Sequence, residues 1–124
     1  MKRPEHDLQR SIVKMLPRIL HQDVFWTAIN PLPGRTPQAG AQAKQLGVVS
    51  GVPDLLFVHD GNVLWVELKA DKRGRLSKAQ SAMHDHLHKA HGNHGVVEVV
   101  TSTDRLFGVL DGLNMLRVKR ARAA

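Results

Sequence analysis

Apolar residues recur along this chain at two different periods, and the alternation between them outlines the fold. Leu8, Ile12, Met15 and Leu16 are three or four apart, so Pro4 to Leu16 reads as a helix, with Pro4 suited to an early helical position. Pro17 is expected to end or kink it. Val24 to Ile29 is a strand candidate, and the proline-rich stretch from Asn30 to Pro37 must be irregular. Ala39 to Leu46 predicts a short helix stopped by Gly47. Asp54 to His59 and Val63 to Ala70 are β-branched and apolar runs on either side of Asp60-Gly61-Asn62, the pattern of an antiparallel hairpin. Ser77 is a good cap for a helix reaching about His91. Ala79, Met83, Leu87 and Ala90 are expected to pack on the sheet, with Gln80, His84, His88 and His91 on an adjacent face. Val96 to Thr101 is a further strand, and Ser102-Thr-Asp caps a closing helix with Leu106, Val109, Leu110 and Leu113 on one side. Strands that alternate with helices in this way predict an α/β fold with a central mixed sheet.

The hairpin carries the chemistry. If Asp60 and Gly61 are the central turn residues, Asp54 lies opposite Glu67; if Gly61 and Asn62 are, it lies opposite Lys69. In either register Asp54, Glu67 and Lys69 share one face, because strand side chains alternate and residues 67 and 69 are two apart. Two acids and a lysine among Leu, Val, Phe and Trp are costly to desolvate unless something neutralises them. A hard divalent cation, Mg²⁺ or Mn²⁺, suits carboxylate oxygens, and the Leu68 carbonyl offers a further oxygen. Such an ion binds a scissile phosphate and activates water. The plainer alternative is an Asp at a strand start and a Glu–Lys pair on an exposed sheet face. Pro53-Asp54, the preceding Gly51 and the hairpin geometry favour the metal site.

Gly51-Val-Pro-Asp54, Glu67-Leu-Lys69 and Leu76-Ser-Lys-Ala-Gln80 together resemble the virus-type replication-repair nuclease (VRR-NUC) family, a branch of the PD-(D/E)xK nucleases. Glu5 with Gln9, Asn30 after an apolar strand, and Lys44-Gln-Leu-Gly47 also match, so the similarity runs from about Glu5 to Val100. The resemblance implies a restriction-endonuclease-like core with helices flanking the sheet. It implies that Asp54 and Glu67 hold the metal, Lys69 assists the water, Glu5 completes the metal shell and Gln80 supports the site. On residues alone, Glu5 is equally an acid favouring a helix N-terminus. Small stand-alone members of the family resemble Holliday-junction resolvases, which implies a homodimer acting on branched DNA.

Bulk composition narrows the partners. The 124 residues carry 18 Lys and Arg against 11 Asp and Glu, a formal net charge of +7, which favours a polyanion. One domain is expected at this length, with a basic tail from about residue 117 to 124. Without cysteine there is no disulfide framework, thiolate zinc site or cysteine nucleophile. Aromatics at 4% and no tyrosine argue against a base-stacking platform for single strands and leave backbone phosphates as the expected contact. Asn30, Arg35, Lys44, Arg75 and Lys78 are the candidate DNA contacts. No apolar run is long enough to span a bilayer and no signal-peptide core follows Met1, so no membrane partner and a cytoplasmic location, in a bacterial, phage or similar host, are expected.

Five of eight histidines fall between His84 and His94, and His84 and His88 are spaced for zinc chelation on one helix face. Solvated or phosphate-adjacent histidines are the favoured reading. The functional expectation is therefore an Mg²⁺- or Mn²⁺-dependent DNA endonuclease acting on branched DNA such as Holliday junctions. Its rivals are a non-catalytic nucleic-acid-binding module and a histidine-dependent zinc-binding regulator.

Overall fold

A computed structural model describes residues 4–29 and 37–117. In chain order the elements are α1 (Pro4–Ile19), β1 (Phe25–Ala28), α2 (Pro37–Gln45), β2 (Leu55–His59), β3 (Asn62–Leu68), α3 (Lys78–His91), β4 (Gly95–Val100) and α4 (Thr103–Gly112). The strands form one sheet in the order β1-β2-β3-β4, antiparallel except for the parallel β3–β4 pair. Parallel neighbours need a crossover, and α3 supplies it. The α/β class and the mixed sheet are thus as the sequence predicts.

The hairpin adopts the first of its two possible registers. Leu55 pairs with Val66 and His59 with Asn62, so Asp60 and Gly61 make the turn. Their φ values of 51° and 80° are both positive, the requirement of the tight turn that matches the twist of a hairpin. This register then sorts every β3 side chain. Leu64, Val66 and Leu68 enter the core with Leu55, Phe57 and Val100, against Ile12 and Leu16 of α1 and Leu106 and Leu110 of α4. Trp65 and Glu67 point the other way, toward α3, where Trp65 Nε1 donates to His91 Nε2 at 2.7 Å.

Two expectations are corrected. Helix α1 runs through Pro17 to Ile19, because Leu16 and Leu20 both belong to the core and the Leu20 N–H still reaches the Leu16 carbonyl at 3.0 Å. The inner face of α3 is rotated from the predicted one: Ala79 and Ala90 are exposed, Met83 and Leu87 half-buried, and Gln80, His84 and His91 face the sheet. The polar atoms of Trp65 and Glu67 select that polar stripe over the alanines. Beyond α4 the chain returns to the core. Met115 and Leu116 are buried, Leu116 bridges to Leu20, and the Arg117 N–H donates to the Ile19 carbonyl. The rest of the basic tail lies outside the described residues. Among those described, no helix is long and apolar enough to cross a membrane.

Gly51 joins this fold to the hairpin's acidic end. Its φ is +85°, and a Cβ there would sit 2.5 Å from the Ala79 carbonyl oxygen at the start of α3. Gly51→Ala is expected to lower stability by about 2 kcal/mol or more, through left-handed strain and overpacking against backbone. A urea-melt midpoint unchanged from wild type would contradict this close approach.

Candidate active site

Asp54 sits just before β2 and is fastened by the sheet on both sides. Its N–H donates to the Val66 carbonyl at 2.9 Å, and its carbonyl accepts from the Ile29 N–H at 2.8 Å. Its side chain then crosses to β3, where Oδ2 accepts the Leu68 N–H at 2.7 Å. That bond holds the carboxyl beside Glu67, the residue before Leu68 in the chain.

Glu67, next to last on the inner strand β3, is only 2% exposed. Gln80 Nε2 donates to its Oε2 at 3.1 Å, and His84 Nε2 is hydrogen-bonded to its Oε1 at 3.1 Å. Burial above all, with hydrogen bonding to Asp54 and the negative charges of Asp54 and Glu5, pushes the Glu67 carboxyl up to about 8. Among the described residues the Lys69 ammonium opposes that shift. His84 is lowered from the ordinary histidine value, first by burial and then by the positive charges of His88 and Lys69, with Asp85 opposing them. Asp54, Glu67 and Lys69 therefore act electrostatically as one cluster, the grouping the hairpin argument anticipates, and Glu5 adds its charge to it.

The positions of the other candidates vary. Glu5 is exposed at the start of α1, beside a groove of about 550 Å³ that Pro4, His6, Ala70 and Asp71 also line. Lys44, Arg75 and Lys78 are exposed. Helix α2, which carries Lys44, has no buried residue. Asn30 and Arg35 fall outside the described residues. The expectation of solvated or phosphate-adjacent histidines fails at His84, which is 8% exposed and spends Nε2 on Glu67, while His88 stays exposed. That division also separates the two imidazoles of the zinc reading into different environments. The signal for His84 was present in its spacing: it lies one helical turn beyond Gln80, so a Gln80 that faces the site brings His84 with it.

The donor set fits a hard cation. Two adjacent carboxyls, one of them raised chiefly by burial, together with a nearby carbonyl, are the oxygen ligands that Mg²⁺ and Mn²⁺ prefer. Among the described residues no three His, Asp or Glu side chains form a ready-made cage. A site of this kind leaves water in much of the coordination shell, as is usual for Mg²⁺.

No protein-family model matches the sequence, and no curated protein matches it. The solved structure of a VRR_NUC domain protein, however, aligns with 90% of this chain and 88% of its own at a TM-score of 0.63 and 21% sequence identity. The chain has a VRR-NUC-like fold. The VRR-NUC resemblance read from scattered motifs thus holds at the level of the backbone, across nearly the whole length of both chains.

The Glu67 environment has a measurable consequence in metal-free protein. Folded Glu67 keeps its proton to about pH 8, whereas the ordinary carboxyl value is 4.5. The unfolded chain therefore binds fewer protons in between, and this residue's contribution to stability is present in full below pH 4.5 and is lost as pH rises toward 8. In EDTA, Glu67→Gln is expected to gain stability over wild type progressively across that window, by up to about tenfold in the folding constant per pH unit. Thermal melts showing a pH-independent difference would overturn it.

Proposed function

We propose that this chain is an Mg²⁺- or Mn²⁺-dependent DNA endonuclease acting on branched DNA such as Holliday junctions. The observation that carries the reading is the convergence of Asp54, Glu67 and Lys69 at one end of the hairpin in a VRR-NUC-like fold. Asp54 and Glu67 are the metal-holding side chains, with the Leu68 carbonyl and Glu5 as further oxygens. When bound, the cation supplies Lewis-acid stabilisation of the phosphate and lowers the pKa of a water. Lys69 orients that water or holds a non-bridging phosphate oxygen. Water oxygen attacks phosphorus in line, and the bond to the 3′ oxygen breaks, leaving a 5′-phosphate and a 3′-hydroxyl.

The charge of +7 supports a polyanionic substrate. Exposed Arg75 and Lys78, beside and within the first turn of α3, and Lys44 on α2 are the proposed phosphate contacts. A junction cut symmetrically requires two such sites, so the working assembly in this reading is a homodimer. A platform that only binds nucleic acid would have no use for a buried, charge-starved carboxyl, which costs stability at neutral pH.

Purified protein incubated with a labelled four-way junction is expected to cut it with Mg²⁺ or Mn²⁺ and not with EDTA. Asp54→Ala is expected to reduce cleavage about 100-fold or more while binding persists or tightens, because a carboxylate facing phosphate repels it. Absence of metal-dependent cleavage on junction, flap, duplex and single-stranded DNA would contradict the enzymatic reading and leave DNA binding alone.

A further inference from the structure

We propose that His84 is a positioning residue for the Glu67 carboxylate, forming with Gln80 a two-point clamp that sets the plane in which Glu67 faces a metal ion. The proposal rests on the metal-dependent reading above, and its ground is geometric. Gln80 and His84 are four residues apart on α3, so their side chains leave the same face one turn from each other. Each takes a different oxygen of the same carboxylate, Oε2 and Oε1, at 3.1 Å.

A carboxylate's last torsion is soft and roughly two-fold, so one hydrogen bond still lets the group swing, whereas two on separate oxygens fix its plane. The clamp is itself braced. Gln80 Oε1 accepts the Ser77 N–H at 2.9 Å and Ser77 Oγ accepts the Gln80 N–H at 3.1 Å, the reciprocal cap at the start of α3. His84 is braced by burial instead. An ionised carboxylate has about four lone-pair positions. Two are used from the α3 side, which leaves the others for the side where Asp54 and Lys69 lie. A histidine that merely filled space there would be replaceable by leucine; one that aims a ligand would not.

Outer partners of metal ligands are worth about 10–100-fold in metal affinity or activity. His84→Leu removes the contact, whereas His84→Gln offers an amide donor in place of Nε2. The measurements are Mn²⁺ affinity by calorimetry without DNA, cleavage in Mg²⁺, and the thermal midpoint in EDTA to confirm folding. His84→Leu is expected to lose about 10–100-fold in both Mn²⁺ affinity and cleavage, and His84→Gln to recover most of each. Should His84→Leu fail to fold, His84→Met serves the same comparison.

Wild-type Mn²⁺ affinity in His84→Leu overturns the proposal. So does a folded His84→Gln that falls as far as His84→Leu, and so does a wild-type protein that binds no Mn²⁺. A wild type that binds Mn²⁺ but cuts no DNA defeats the nuclease reading alone, and the variants' Mn²⁺ affinities still decide the role of His84.

Discussion

A carboxyl group inside a β-sheet, without an adequate counter-charge, is the constraint around which this molecule is arranged. Glu67 lies at the penultimate position of the hairpin's second strand, hydrogen-bonded by Gln80 and His84 and crowded by Asp54. Among the described residues, Lys69 is the cation that eases its ionisation. Burial of this kind opposes stability unless the group keeps a proton or gains a cation. The structure accepts that cost at one end of the sheet and offsets it with an uninterrupted apolar core on the other face.

Strand alternation makes the division possible. Leu64, Val66 and Leu68 serve the core, while Trp65 and Glu67, interleaved with them, serve α3. A slip of one residue in the β2–β3 register would exchange the two sets, burying Glu67 among leucines and turning three core residues toward α3's polar stripe. The tight Asp60-Gly61 turn therefore fixes the site as much as the sheet. The same coupling appears at the other end, where Gly51 lets the chain entering Asp54 approach the backbone of α3 closely. The reciprocal Ser77–Gln80 cap then ties the helix's first turn to the acid it supports.

Much of this was legible in residue order because period-two and period-3.6 patterns are local. The hairpin, the two capped helices and the grouping of Asp54, Glu67 and Lys69 follow from spacing alone, and Gln80's support of the site from the family resemblance. What escaped was tertiary. Nothing local shows that Met115 and Leu116 enter the core, since a bridge to Leu20 draws them there. Pro17 signals a break that burial of Leu16 and Leu20 overrides. The α3 stripe was misassigned because hydrophobicity picks alanines, whereas the facing strand presents an indole N–H and a carboxyl that demand His91, Gln80 and His84. His84 looked like part of a surface histidine cluster for that reason.

The central claim is that Glu67 holds a proton until a cation takes its place beside Asp54. Calorimetric titration of Mn²⁺ at pH 7, repeated in buffers of differing ionisation enthalpy, counts the protons released on binding. With Glu67 raised to about 8, the account predicts release of about one proton per ion, diminishing as the pH is taken well above that value. Binding that releases no proton at pH 7, or that leaves Glu67→Gln with undiminished affinity, would contradict it.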